Sequence, residues 1–117
     1  MTIFKPGEVV LVPFPFTDWS NLKQRPALII SSQNFNRRQS DVILCAITSH
    51  IPEKFSPEEY FLPKTDQISA GLLKPSIVKI GKIITLNQTL VRKTLGKISK
   101  NTLREIFKGV YQILKNE

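Results

Sequence analysis

Short apolar runs, broken by prolines and turn residues, occupy most of the chain before residue 99. They are rich in Val and Ile, whose branched Cβ atoms favour extended backbone. Val42–Ile47 is apolar at odd and even positions alike, which is typical of a strand buried on both faces. A chain of 117 residues has room for one core. The sequence therefore predicts one domain over residues 1–117, built mainly from short β-strands.

Prolines, glycines and turn residues between the apolar runs locate the ends of the predicted strands. Pro13 and Pro15 cannot donate ladder hydrogen bonds, so the first strand should end at an edge or an exit. Gly81 interrupts a long run and predicts a bulge or bend. The run that contains Tyr60 is weaker and suits a sheet edge. The predicted strands are Glu8–Phe16, Ala27–Ser31, Val42–Ile47, Glu58–Leu62, Ser76–Ile84 and Thr94–Ile98, with a polar loop at Thr17–Gln24 and a turn at Asp66–Gly71.

Helical patterning is confined to two places. Ser32–Arg38 could form one short turn of helix, with Ser31 or Ser32 as its cap. The C-terminal segment is stronger, because Ser99 is a suitable N-cap and the apolar residues after it recur at helical spacing. These residues are Leu103, Ile106, Phe107, Val110, Ile113 and Leu114. We expect a mainly β fold (a β-rich α+β class): a small, strongly bent sheet or barrel packed by one amphipathic C-terminal helix.

Composition excludes several classes of protein. No apolar run reaches the roughly 20 residues that a membrane span requires, and residues 1–8 lack the pattern of a signal peptide. We therefore expect a cytoplasmic protein without a membrane association. Cys45 is the only cysteine, so there is no internal disulfide, and it is expected in the core. With His50 as the only other soft ligand, no structural zinc site is expected. The expectation is that the protein uses no metal and no cofactor.

The formal net charge is +8, and it is concentrated late in the chain. Residues 67–117 hold ten basic and two acidic side chains. A one-sided positive field is typical of proteins that bind nucleic acid, an anionic membrane surface or an acidic protein, although it can also serve solubility alone. The sequence does not select which cations of the later segment face a ligand; the candidates are Lys74, Lys79, Lys82, Arg92, Lys93 and Lys97.

The reactive side chains that are present limit the reactions that the chain could catalyse. The glycines are scattered, so there is no phosphate-binding loop, and catalysis would depend on Arg, Lys, Thr, Ser or Tyr, with His50 as the only group that titrates near neutral pH. Cleavage of RNA suits this set, because RNA supplies its own 2′-hydroxyl nucleophile and a guanidinium matches phosphate oxygens. Arg25 precedes the second strand, and Thr48 and Ser49 end the third. If these strands are neighbours the side chains converge, although Arg25 could equally be a surface residue and Thr48 a turn former.

Several segments, in this order, resemble the PemK/MazF-like toxins. The matching segments are Gly7–Asp18, Lys23–Ser31, Phe35–Arg37, Asp41–Leu44, Ala46–Ser49, Gly71–Ser76 and Leu95–Ser99. The resemblance covers nearly the whole chain and implies an SH3-like, CcdB/PemK-like β-barrel with a C-terminal helix, usually as a homodimer. It also implies a toxin of a type II toxin–antitoxin module. Most such toxins are metal-independent endoribonucleases that cut single-stranded RNA, often mRNA, at short sequences.

In that family the 2′-hydroxyl attacks, leaving a 2′,3′-cyclic phosphate and a 5′-hydroxyl. The family's catalytic Arg in its Arg-Pro motif matches Arg25, and its catalytic Thr matches Thr48. Arg25 is expected to stabilise transition-state charge and to protonate the leaving oxygen, and Thr48 to orient the phosphate. No equivalent of the acidic residue used by some relatives is found, and His50 could be a base or an ordinary loop residue.

The loop Thr17–Gln24 resembles the family's first long loop, which overlies the RNA groove. Trp19 could stack on an unpaired base or cover the barrel. The residues expected to contact RNA are Thr17, Trp19, Ser20, Lys23, Gln24, Ser49 and His50.

The resemblance also implies a neutralising antitoxin with an acidic, flexible tail, whose capture a charge of +8 would favour. Three alternatives stay open. A gyrase poison of the CcdB type depends on a Trp-Gly-Ile type C-terminus, whereas this chain ends Leu-Lys-Asn-Glu. The others are an inactive RNA-binding relative, although Arg25 and Thr48 are present, and a generic SH3-like interaction module.

Overall fold

The computed structural model describes residues 3–14 and 23–115 of the chain. The described elements, in chain order, are β1 (Glu8–Phe14), β2 (Lys23–Ile29), α1 (Gln33–Arg38), β3 (Asp41–Thr48), β4 (Glu59–Phe61), α2 (Lys64–Ser69), β5 (Ile77–Asn87), a 3₁₀ turn (Gln88–Leu90), β6 (Lys93–Lys97) and α3 (Lys100–Lys115).

The six strands form one antiparallel sheet in the order β4-β5-β3-β2-β1-β6. As predicted, β3 is central and β4 lies at an edge. The mainly β fold with a C-terminal helix is confirmed. The pairing among the described residues leaves the sheet open between β4 and β6, so the expected barrel is not closed by hydrogen bonds. No helix within residues 3–14 and 23–115 has the length and apolar character needed to span a membrane.

Both faces of the sheet are buried, which explains the uninterrupted apolar runs. Val9 packs in one core cluster with Leu28 and Cys45, whereas the adjacent Val10 packs in a second cluster on the opposite face. Helix α3 covers the first cluster through Ile106, which is fully buried. Burial also raises the pKa of the Cys45 thiol to about 12, as expected for a small core residue without chemistry.

The bend in β5 lies where Gly81 predicted it. The pairing of β3 with β5 jumps from Cys45↔Ile83 to Ala46↔Lys79, so extra residues around Gly81 have no counterpart on β3. Such a bulge increases the local twist of a strand. It lets the two halves of β5 follow the strongly bent sheet.

Helix α2 corrects the prediction of a plain turn at Asp66–Gly71. The helix is six residues long and Pro63 at its N-cap offers no side-chain hydrogen bond, so the local sequence signal is weak. Tertiary contacts hold it instead. The buried Asp66 accepts a hydrogen bond from Ser99 N (2.7 Å) and one from the Thr102 hydroxyl, both at the start of α3. Ser99 also caps α3, accepting from Thr102 N at 3.2 Å as its sequence position indicated.

Strand β2 begins four residues earlier than predicted. Lys23 pairs with Phe14, and Gln24 pairs with Pro13, so these two residues belong to a strand and not to the polar loop. The prediction was wrong because local composition favoured a loop, whereas pairing with β1 supplies the extended structure. Helix α1 forms as expected with Ser32 as its cap, accepting from Phe35 N at 3.1 Å.

Candidate nucleic-acid interface

An open groove of about 430 Å³ lies where β2, β3, β6 and the loop between α2 and β5 meet. Its polar lining consists of three cations and three hydroxyls. These are Arg25, Lys74, Lys93, Thr48, Ser49 and Ser76. The six residues come from four separate segments of the chain, so the fold and not local sequence assembles the set.

The register of β2 against β3 brings Arg25 and Thr48 to the same groove. Ala27 pairs with Ala46, and two residues further along each antiparallel strand lie Arg25 and Thr48. Both residues line the groove. The convergence expected from the sequence is therefore present, with Arg25 inside β2 and not merely before it.

The hydroxyl of Thr48 is oriented by the backbone just after it. His50 N donates to Thr48 Oγ1 at 3.1 Å, which is a turn typical of Thr at a strand end. Because Oγ1 accepts this bond, its own hydrogen can donate to an oxygen of a ligand in the groove. The turn expected from the sequence and a donor role are compatible at this residue.

Among the described lining residues there is no carboxylate. Lys79, one of the candidate cations of the later segment, instead pairs with Glu59 at 3.3 Å outside the groove. The three cations of the described lining give the groove positive charge, and the hydroxyls beside them add neutral donors. This combination fits phosphate oxygens.

Two close backbone approaches fix the wall of the groove formed by the α2–β5 loop. Gly71 has φ +74° and lies against the backbone of Leu95, where a Cβ would collide with the Leu95 carbonyl. Gly96 lies equally close to the Ser69 and Ala70 backbone. Only glycine permits this contact, so the end of α2 and the loop sit directly on β6.

The predicted site residues divide into three groups. Arg25, Thr48 and Ser49 line the groove together. Lys23, Gln24 and His50 are exposed near it but are not among its lining residues. Thr17, Trp19 and Ser20 lie outside the described residues, as does most of the Thr17–Gln24 loop.

Sequence reasoning missed part of the groove. Ser76 and Leu73 were not singled out, and Lys74 and Lys93 were candidates among six cations with nothing to select them. The signal that could have found three of these residues was the segment Gly71–Ser76, which also carries the family resemblance. Its glycine requires a special backbone, which marks a fixed loop next to the site. Within the described residues, no group of three His, Cys, Asp or Glu side chains is placed to hold a metal ion.

The profile of one protein family, described as "PemK-like, MazF-like toxin of type II toxin-antitoxin system", matches residues 5–114. The chain belongs to this family. The resemblance stated from the sequence is thereby confirmed, and the family is one whose members are endoribonucleases. A comparison with curated protein sequences finds no match.

Solved structures show the same fold. MazF (Form-I) from Deinococcus radiodurans is similar with a TM-score of 0.76 and 23% identity, covering 97% of this chain and 98% of that one. An endoribonuclease in complex with its cognate antitoxin from a mycobacterial species has a TM-score of 0.75 at 21% identity, covering 97% and 95%. MazE-MazF (Form-II) from D. radiodurans has a TM-score of 0.75 at 20% identity over 100% of both chains. This PemK/MazF-family toxin therefore shares their whole architecture.

Proposed function

We propose that this toxin is a metal-independent endoribonuclease that cuts single-stranded RNA, including mRNA, in the groove lined by Arg25 and Thr48. The observation that carries the proposal is the convergence of three cations and three hydroxyls with no carboxylate among the described lining residues. Such a surface attracts anions, phosphates among them. Family membership supplies the reaction class.

The proposed reaction is an intramolecular transesterification. The 2′-oxygen forms a bond to phosphorus, the bond from phosphorus to the 5′-oxygen breaks, and the products are a 2′,3′-cyclic phosphate and a 5′-hydroxyl. The nucleophile loses one proton and the leaving oxygen gains one. Negative charge builds on the non-bridging oxygens in between, and donors placed for that charge lower the barrier most.

Each lining residue has a role in this scheme. Arg25 donates from its planar guanidinium to the non-bridging oxygens and supplies a proton to the leaving 5′-oxygen. Thr48 and Ser49 donate hydroxyl hydrogens that orient the phosphate. In this scheme the 2′ proton passes to water, which the open groove admits.

The proposed partner is an antitoxin with an acidic segment that occupies the same groove and competes with RNA. Two structurally similar proteins are described as complexes, one with its cognate antitoxin and one as MazE-MazF. A cationic groove offers such a segment the charge complement that speeds association.

The toxin is further proposed to act in the cytoplasm as a homodimer. Phe107, Tyr111 and Leu114 form an exposed apolar stripe on α3 that a second copy can cover. The stripe is distinct from the buried residues that pack α3 on the sheet.

The test is a gel of a long, weakly structured RNA incubated with purified toxin in EDTA. We expect discrete fragments with cyclic-phosphate and 5′-hydroxyl ends, and no cutting at a mapped site once its 2′-hydroxyl is replaced by hydrogen. The Arg25→Ala protein, shown to be folded by circular dichroism, controls for a contaminating nuclease. Intact RNA with the wild type in several unrelated sequences would reject the proposal in favour of a binding toxin. Equal cutting by Arg25→Ala would reject the assigned site.

A further inference from the structure

Leu73 is the most exposed large apolar side chain among the described residues, at 97% of its accessible surface. It lies at the groove itself, between Leu72 and Lys74, which also line it. A leucine in this position packs against nothing in the isolated chain. A single exposed leucine is unremarkable on an open surface, but one at the lip of a cationic groove points to a ligand with an apolar face.

The backbone that presents Leu73 is held on both sides. The side chain of Gln67 donates to the Leu72 carbonyl at 3.1 Å, and Leu72 N donates to the Gln67 carbonyl at 3.0 Å. On the other side, the Ser76 hydroxyl donates to the Lys74 carbonyl at 2.9 Å. The tight contact of Gly71 with Leu95 anchors the start of the loop. Leu73 and Lys74 therefore project from a fixed support.

We propose that Leu73 and Lys74 act as a clamp on one nucleotide of the RNA, with Leu73 packed against an unpaired base and Lys74 against a neighbouring phosphate. This inference rests on the proposed function and deepens it by assigning a residue that reads the base. Neighbouring apolar and cationic side chains match the alternation of base and phosphate along a strand. Further leucines on the groove wall, Leu11, Leu72 and Leu95, extend the apolar contact.

The clamp has a consequence for substrate choice. A base face is available to Leu73 only when the base is unstacked and unpaired, so duplex RNA cannot engage the clamp. Leu73 lacks hydrogen-bonding groups and contributes shape and apolar contact. Lys74 contacts a group that every nucleotide shares and should carry no base preference.

The first experiment measures binding of a 2′-O-methyl oligonucleotide of mixed sequence, which cannot be cleaved, by fluorescence anisotropy across a salt series. Leu73→Ser is expected to weaken binding by about tenfold, the loss expected from leaving one leucine side chain unburied, with an unchanged salt slope. Lys74→Gln is expected to reduce the slope of log affinity against log salt by about 0.7, the value for one single-strand phosphate contact. Matched controls are Ile68→Ser, an exposed apolar residue of α2, and Lys64→Gln, neither of which lines the groove. Both controls should bind as the wild type.

The second experiment maps cut sites in a long RNA. Leu73→Ser should relax the base preference at one position of the site and Leu73→Met should retain it, whereas Lys74→Gln should cut the same sites more slowly. Wild-type affinity and site choice in Leu73→Ser would overturn the clamp. A changed oligomeric mass of that variant with unchanged RNA affinity would also overturn it, since the leucine would then belong to a protein contact. A wild type that binds the oligonucleotide but never cleaves RNA rejects the proposed function, and the binding series still decides the clamp.

Discussion

Two polar sites of this toxin lie at opposite ends of the segment that runs from α2 to β5. At one end, Asp66 is 4% exposed and its carboxylate accepts from Ser99 N and Thr102. At the other end, Lys74 is exposed at the groove, where Lys93 of β6 joins it, and none of the groove's described lining residues is an acid. The contrast in burial and partners shows that charged side chains have two different roles in this protein. A buried carboxylate that is hydrogen-bonded within the chain serves the fold, whereas the exposed cations of the groove are available to an anionic ligand.

One segment serves both purposes. Asp66 holds α2 against the start of α3, and the loop after α2 is then pressed onto β6 through Gly71 and Gly96. The folding site thus positions the wall of the binding site. The two can still be separated by substitution, because no residue of the Asp66 cluster lines the groove.

Replacing Asp66 should produce the largest effect on folding. We expect Asp66→Ala to lower the free energy of unfolding by about 3 kcal/mol, because two hydrogen bonds to a buried carboxylate are lost and the Thr102 hydroxyl stays buried. Urea unfolding measures this, with the exposed neighbour Thr65→Ala as control. RNA cleavage per folded molecule should stay near the wild-type rate. A stable Asp66→Ala protein that has lost cleavage would break the comparison, since Asp66 would then serve the groove as well as the fold.

Replacing the hydroxyl of Thr48 should affect the rate of RNA cleavage and not the stability of the fold. Thr48→Val removes one donor to a charged phosphate, worth about 2 kcal/mol in the transition state, or roughly thirtyfold in rate. Single-turnover cleavage measures the loss, and Thr94→Val, an exposed threonine of β6 outside the groove, is the matched control. A wild-type rate for Thr48→Val would leave Thr48 with only its turn-forming bond to His50.

The apolar runs predicted the sheet, because a strand buried on both faces must be apolar at every position. The same reasoning located the bulge at Gly81 and the cap at Ser99, which depend on neighbouring residues alone. It missed α2, whose stability comes from contacts with β6 and α3 that lie some thirty residues away. It also began β2 too late, since Lys23 and Gln24 are extended only because Phe14 and Pro13 pair with them.

The candidate site was predictable only in part for the same reason. Arg25 and Thr48 were reachable from strand ends and from the family's motifs, since the two strands are neighbours. Lys74 and Lys93 could not be separated from Lys79 without the fold, because all three occur in similar basic surroundings. Their different partners, the groove for two of them and Glu59 for Lys79, exist only in three dimensions.

Two lysines of β6, Lys93 and Lys97, should differ in their contribution to the salt dependence of RNA binding, which is a smaller effect. Lys93 lines the groove and Lys97 of the same strand does not. We expect Lys93→Gln to reduce the salt slope of single-stranded RNA binding by about 0.7, and Lys97→Gln to leave it unchanged. Anisotropy titrations across a salt series measure both. Equal slopes for the two variants would show that binding depends on overall charge and not on the groove.

The smallest expected effect concerns Glu59. The hydrogen bond from Ser56 N, with help from Lys79, holds the pKa of Glu59 below its ordinary value. A carboxyl with a lowered pKa in the folded state adds stability above its unfolded pKa of about 4.3, and this stability is lost as the pH falls through the folded pKa. Glu59→Gln should therefore reduce the loss of stability on acidification below about pH 4.3, measured by urea midpoints. An unchanged acid profile would show that the ionised form of Glu59 contributes nothing to folding.

The central claim is that Arg25 acts on the RNA phosphate, and one measurement tests it most directly. The single-turnover rate of RNA cleavage by Arg25→Ala is compared with that of Arg37→Ala, whose exposed side chain lies on α1 away from the groove. We predict a loss of at least about hundredfold per folded molecule for Arg25→Ala, the cost of removing a well-placed charge-stabilising donor. Arg37→Ala should cleave at the wild-type rate. Equal rates for the two variants, with both proteins folded, would contradict the account.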